Sequence, residues 1–199
     1  MRGMSTQITD LRQHILEVAK PLLLNKGYTA VGLTELLATA GIPKGSFYHY
    51  FDSKEGFGQA LLDWYFGAYL AFLDDLLARP GKAQQRLMGF WQYWLDAQGG
   101  EDPAAKCLAV KLSAEVSDLS ESMRVTLEQG TQGVIQRLTQ CIAEGRTDGS
   151  LAHVKDAAQL ANTLYQLWLG ASLLAKVTRS RAPLESAMTG TRQLLKPPK

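Results

Sequence analysis

GYTAVGLTELLATAGIPKGSFYHYFDSKE, residues 27–55, decides how this chain folds. Leu33, Leu36, Leu37 and Ala40 recur at helical spacing and give a short helix over 33–40 one apolar face. Gly41 supplies a tight turn, and Pro43 starts a second short helix over 44–50. The pair reads as a helix-turn-helix closing onto a third, longer helix. Lys44, Gly45, Ser46, Tyr48 and His49 put small, basic and hydrogen-bonding side chains on the second helix. Such a helix can lie in a DNA major groove with its N-terminal residues against base edges.

Working outward, a first helix is expected over 9–26, with Ile8, Leu11, Ile15, Ala19, Leu22 and Leu23 facing inward and Gly27 stopping it. Pro21 lies inside it and predicts a kink where the bond to the Glu17 carbonyl is lost. Gly32 stands at the N-cap of the 33–40 helix without a capping oxygen. Downstream, Asp52 and Glu55 have capping-box spacing and open a helix that ends at Arg79-Pro80-Gly81. At 1.5 Å per residue that helix is roughly 40 Å long, enough to join two domains. Further helices are expected over 84–98, 104–116, 121–145, 154–180 and 184–196. The fold class is all-α with about nine helices. A helix-turn-helix DNA-binding domain covers 1–52, and an effector-sensing and dimerisation domain covers 53–199.

Composition supports this reading. Leu (31) and Ala (23) far outnumber Val plus Ile (13), which favours helices over sheet. Net charge is only +2, and residues 1–55 carry six Lys/Arg against five Asp/Glu. Nucleic-acid binding must therefore come from a few placed contacts. The two cysteines, 34 residues apart, make neither a disulfide framework nor a zinc site, and a reduced, cytoplasmic setting follows. MRGMSTQITD lacks the apolar core of a signal peptide. The 19 residues 157–175 are uncharged, but Gln159, Asn162, Thr163, Gln166 and Ser172 mark a buried helix of a soluble protein, not a membrane span. His14, His49 and His153 are scattered, and no catalytic, metal-binding or cofactor-binding motif is present, so an enzyme is not expected. A helical partner-binding protein that has lost DNA binding is a remote alternative, and Lys44, Tyr48 and Lys54 oppose it.

With Tyr48-His49-Tyr50-Phe51 closing the motif and Lys54 just inside the next helix, residues 27–51 resemble the TetR family of one-component bacterial repressors. PKGSFYHYFDSKE (43–55), CLAVKLSAEV (107–116), DLSESMR (118–124) and LWLGASLLAKVTRS (167–180) extend the likeness, within that family, to its N-ethylmaleimide-responsive branch. Pro21 and Gly32 depart from the usual family pattern. The resemblance implies a homodimer on near-palindromic double-stranded operator DNA, with recognition helices roughly 34–36 Å apart. An inducer acting on the C-terminal domain changes that spacing.

Site residues follow from both readings. Lys44 can reach a guanine edge or a phosphate, Gly45 and Ser46 keep the backbone close, and Thr34, Tyr48, His49 and Lys54 can meet phosphates. Phe47, Tyr50 and Phe51 plug the small core. Cys107 stands near a helix N-terminus beside Lys106, a setting that favours thiolate, although position alone favours an inert, half-buried cysteine. The resemblance makes it the sensing thiol for a small electrophile or oxidant. Lys176 ends the uncharged run and either snorkels to solvent or, desolvated, partners an oxidised Cys107 sulfur. Cys141 reads as core. An alternative inducer is an apolar aromatic ligand bound reversibly among Trp64, Tyr69, Trp91, Trp94 and Tyr165. Leu160, Leu164, Leu167, Trp168 and Ala171 are expected on the dimer face.

Overall fold

Gly27 at φ 90° and Gly41 at φ 67° end the first two helices in the left-handed conformation that L side chains avoid. The computed structural model describes residues 2–102 and 105–197, with side chains from residue 11 onward, so Ile8 lies outside the described side chains. Among the described residues there are nine α-helices and no strand. They are α1 (Arg2–Lys26), α2 (Leu33–Ala40), α3 (Lys44–Tyr50), α4 (Lys54–Leu77), α5 (Ala83–Gly99), α6 (Leu108–Ser117), α7 (Glu121–Thr147), α8 (Ala157–Thr178) and α9 (Ala182–Leu194). α1 continues through Pro21 to Lys26.

The N-terminal helices share a core of Ile15, Leu16, Ala19 and Leu23 from α1, Leu36 and Ala40 from α2, and Phe47 from α3. Phe47 packs on Phe51 and Phe57 at 5.1 and 5.6 Å between ring centroids, which locks α3 to the start of α4. His14 Nε2 meets the Ala40 carbonyl at 3.1 Å, and Lys26 pairs with Glu35, so α1 and α2 are also tied by polar contacts.

The expected capping box at the start of α4 does not form, and the cap lies one residue later. Ser53, not Asp52, is the N-cap, and its hydroxyl accepts from the Gly56 N–H at 2.9 Å. Glu55 is then free to accept from the Ser120 and Ser122 hydroxyls, which clasp the α6–α7 connection to the head of α4. Two other helix starts also move. Asp156 caps α8 by accepting from Gln159 N–H at 2.9 Å, so α8 begins at Ala157 and not at 154. Cys107 is itself the N-cap of α6, which begins at Leu108 and not at 104.

α4 crosses α7 where Gly130 meets the Phe66 ring, so close that a Cβ at that position would strike the ring. Behind this contact, Trp91 of α5 stacks on Trp168 of α8, with centroids 5.2 Å apart and planes 9° apart. Trp168 Nε1 donates to Thr191 Oγ1 of α9 at 2.9 Å, and Trp94 Nε1 donates to Ser172 Oγ of α8 at the same distance.

These contacts correct the expected dimer face. Leu164, Trp168 and Ala171 are buried inside the protomer and are unavailable to a second subunit. The outer side of α8 instead carries Leu160, half-buried, with Leu167, Leu174 (54% exposed) and Val177 (71% exposed) at heptad-like spacing, flanked by Leu173. α8 is apolar on two faces, and the larger aromatic side chain turned inward. No helix among the described residues is long and apolar enough to cross a membrane.

The Gly130 contact makes a testable demand. Gly130→Ala gains up to about 1 kcal/mol of helix propensity but loses about 1–3 kcal/mol to overpacking against Phe66, so the thermal midpoint should fall by a few degrees. Gly67→Ala, on the open side of α4 with nothing within 4 Å, should raise it slightly. Equal shifts for the two variants in a calorimetric melt would contradict the packing.

Candidate functional site

Two faces concern function, one on α3 and one around the N-terminus of α6. On α3, inward-turned Phe47 fixes the helix rotation. Lys44, Gly45, Tyr48 and His49 are thereby exposed on one side, with Ser46 half-exposed at its edge. Thr34 is also exposed, at the start of α2. Lys44 Nζ lies 5.8 Å from the Tyr48 ring centroid, a cation–π pair that keeps both side chains extended along the helix surface. Lys54 behaves differently from expectation. Its ammonium donates to the Tyr28 carbonyl at 3.1 Å and sits 4.7 Å over the Tyr28 ring, so it braces the α1–α2 turn.

Cys107 is 7% exposed and packs between α6 and α4. The Tyr65 hydroxyl donates to its Sγ at 3.3 Å. Burial pushes the thiol up; the Tyr65 hydrogen bond, the Val110 and Ala109 N–H groups and the Lys20 ammonium oppose that rise without cancelling it. Lys106 is not the activating neighbour that the sequence suggests. Its ammonium donates to the Gln98 and Gly100 carbonyls. Lys20, 5.7 Å over the Tyr65 ring and distant in sequence, supplies the positive charge instead.

Cys107 forms part of the wall of two cavities. The larger, of about 490 Å³, also holds Lys176, so the structure brings the two expected sensing residues to one space. Lys176 remains solvent-exposed, yet partial burial, with Lys111 and Lys106 near, lowers its ammonium below the usual lysine range. The smaller hollow, about 70 Å³, is lined by Tyr69 and Trp94 together with Tyr65, Tyr93 and Lys20. The expected aromatic pocket does not form as a unit. Trp91 and Tyr165 are core, and Trp64 lines neither cavity. Only Tyr69 and Trp94 of that set line this hollow, which is too small for a planar ring system of quinone size. Cys141 is buried on the far side of α7 with its thiol pushed up to about 11, mainly by burial.

A third feature links the two faces. Glu115, two turns along α6 from Cys107, accepts from the backbone N–H groups of Tyr28, at 3.1 Å, and Thr29. Its carboxyl is held below the usual glutamate range, because those donors outweigh the desolvation that would raise it. Lys111 on the same helix donates to the Asn25 carbonyl at the end of α1. Sequence reading missed Glu115, Tyr28, Tyr65 and Lys20. Each contact joins residues dozens of positions apart, and no local spacing advertises them.

Helix-turn-helix and thiol pocket together define a helical, one-component regulator of transcription. Residues 15–61 match the family described as bacterial regulatory proteins, tetR family, and residues 83–191 match the tetracyclin repressor-like C-terminal domain. The chain belongs to the TetR family. It is 44% identical over 190 residues to the HTH-type transcriptional repressor NemR of Escherichia coli (strain K12), spanning 95% of this chain and 96% of that one. It is 32% identical over 193 residues to the HTH-type transcriptional repressor DhaR of Mycobacterium sp. (strain GP1), spanning 95% and 94% of the two chains. The crystal structure of the reduced form of E. coli NemR matches with a TM-score of 0.89 at 45% identity, covering 95% of this chain and 98% of that one.

The Cys107 environment gives a measurable pH dependence. Burial raises the thiol, so alkylation of Cys107 by N-ethylmaleimide should accelerate with pH around a midpoint above that of a free cysteine, about 8.5. Tyr65→Phe removes a hydrogen bond that favours the thiolate and should move the midpoint further up. A wild-type midpoint below that of the free amino acid would refute this account.

Proposed function

We propose that this protein is a homodimeric repressor that binds a near-palindromic operator through α3 and releases it when an electrophile or oxidant reacts at Cys107. The observation that carries the proposal is the continuity of α6. Cys107 is its N-cap residue, and Glu115 on the same helix holds the turn before α2. Its NemR relative, named as a repressor, supports the output.

On the DNA side, Lys44 and Tyr48 make the principal contacts, with Thr34, Ser46 and His49 beside them and Gly45 allowing close approach. Lys54 contributes indirectly, by holding Tyr28. Because the N-terminal region has almost no charge surplus, affinity rests on both half-sites being met together. Subunits join through the outer stripe of α8, with Leu167, Leu174 and Val177 at its centre and Leu160 at its edge. These side chains are too apolar and too exposed to be left in water along one line.

On the sensing side, the thiolate of Cys107 adds to an electrophilic carbon, or the sulfur is oxidised with Lys176 nearby as partner. A group added to this buried sulfur breaks the Tyr65 hydrogen bond and displaces the packing around it, so the N-terminus of α6 shifts. Glu115 then moves relative to Tyr28 and Thr29, and the helix-turn-helix changes its angle to α4. A change of a few ångströms in the separation of the α3 helices is enough to lose one half-site. The protein acts in the reducing cytoplasm, where a free thiol persists.

Three variants test this chain of events by operator titration and intact-protein mass spectrometry. Lys44→Ala should weaken operator binding by about 1–2 kcal/mol, roughly five- to thirtyfold. Cys107→Ala should bind normally and fail to release on treatment with N-ethylmaleimide. Glu115→Ala should be alkylated at Cys107 as fast as wild type yet release DNA several-fold less, since coupling energies of this kind are about 1–3 kcal/mol. Full release from alkylated Glu115→Ala would break the proposed link. Leu174→Glu combined with Val177→Glu should sediment as a folded monomer and lose specific DNA binding. A dimer with those two glutamates would place the interface elsewhere.

A further inference from the structure

The 490 Å³ cavity beside Cys107 has an unusual wall. Lys106, Lys111, Lys176, Arg179 and Arg181 line it, against the single carboxylate of Glu101. Some of these charges are already engaged. Lys106 donates to the Gln98 and Gly100 carbonyls, Lys111 to the Asn25 carbonyl, and Arg181 pairs with Asp96 at 3.0 Å. Among the described residues, Lys176 and Arg179 have no such partner. Lys176 pays for its position electrostatically, since Lys111 and Lys106 both act on it with like charge. Arg179 is held at φ 51°, the one non-glycine residue with positive φ among the described residues, where it ends α8 at the cavity.

A concave space lined by one sign of charge focuses the field and raises the local concentration of counter-ions, here anions. The α6 N-terminus adds its partial positive charge on the same side, through the backbone next to Cys107. At this volume the cavity accommodates an organic molecule of drug-like size, not merely an inorganic ion. The geometry points to a binding site for small organic anions, with Lys176 and Arg179 receiving a carboxylate while the rest of the molecule lies against Cys107. This rests on Cys107 being the sensor and adds the class of electrophile it prefers: a carboxylate-bearing molecule with an electron-poor alkene. In the reaction the thiol gives its proton to water and the sulfur bonds to one alkene carbon. The π electrons move to the neighbouring carbon, which takes a proton. The sum is addition of S–H across the double bond, and no oxidant is required. The apolar ligand suggested by the sequence is a poor fit for the same wall.

A matched pair of probes tests the inference on the full-length protein. N-ethylmaleimide is neutral, and 3-maleimidopropionate differs by carrying a carboxylate at the end of its chain. Each rate of Cys107 modification, read by intact-protein mass spectrometry, is divided by the rate with 2-mercaptoethanol. At low salt the normalised ratio should favour the anion by about tenfold or more, and it should shrink toward one near 1 M salt. In Lys176→Gln combined with Arg179→Gln the ratio should fall to about one. Equal normalised rates in the wild type, or a preference that survives in the double variant, would overturn the inference. If Cys107 reacts with neither probe, the sensor reading fails separately, and 3-succinimidopropionate, which has no alkene, decides the anion site alone. It should raise the thermal midpoint of the wild type and not of the double variant; no shift in either means that there is no such site.

Discussion

The carboxylate of Glu115, accepting from the backbone of Tyr28 and Thr29, is the contact on which the rest of this molecule depends. Besides it, the three N-terminal helices meet the remainder along α4 and where α1 packs on α6, with Lys111 donating to the Asn25 carbonyl. With it, the turn that orients α2 and α3 is held to α6. Charge-assisted hydrogen bonds to backbone amides are about twice as strong as neutral ones, and they are directional. A shift of α6 by a fraction of its own diameter would lengthen both bonds at once. Tyr28 multiplies the effect, because its hydroxyl donates to the Lys54 carbonyl at 2.8 Å while the Lys54 ammonium returns to its own carbonyl. Turn, α4 and α6 therefore move as a linked set.

Around this link the molecule divides its labour between rigid and adjustable parts. The stacked Trp91 and Trp168, the Gly130–Phe66 crossing and the Trp–Ser and Trp–Thr hydrogen bonds form a densely packed frame that offers few alternative arrangements. α6 is the short helix beside that frame, only 10 residues long, with open space along the side that holds Cys107 and Val110. A helix this short has less packed surface to disrupt in a shift than the long α7 and α8. Placing the thiol at the end of the movable element is thus more effective than making it more reactive. Cys141, equally buried but set in the long α7, has no comparable route to the DNA-reading helices.

Much of this was legible in the chain itself, and the reasons are physical. The α2–turn–α3 unit follows from neighbours in sequence: the apolar repeat at Leu33, Leu36, Leu37 and Ala40, the left-handed Gly41, and Phe47 turning α3 so that Lys44 and Tyr48 face outward. The same local logic placed Cys107 at a helix start, though the boundary lay a few residues later than expected. Where an element offered two answers of equal hydrophobicity, periodicity could not choose. α8 is apolar at Leu164, Trp168 and Ala171 and again at Leu160, Leu167 and Leu174, and only the fit of Trp168 against Trp91 decides which stripe is inside. Clustering of aromatics on α4 and α5 was equally ambiguous, because stacked rings fill a core as readily as they line a pocket. Tyr65, Lys20 and Glu115 act across long sequence separations, and such contacts leave no spacing to read.

Burial of Cys107 also has a consequence for selectivity. A thiol with a lowered pKa would react with any electrophile that reached it, and the chain would respond to the background chemistry of the cell. Here desolvation raises the pKa, while Tyr65 and the α6 amides hold hydrogen bonds ready for the thiolate once it forms. Slow intrinsic chemistry shifts discrimination to whatever dwells longest next to the sulfur. Residence is set by the cavity wall, and that wall carries five basic residues and one acid. On the proposed sensing role, selectivity is therefore a property of the space around the thiol more than of the thiol itself. The cations that would hold an incoming anion, Lys176 and Arg179, lie at the end of α8, while Cys107 stands at the head of α6, so an occupant lying against the thiol bridges the two helices before any bond to sulfur is made.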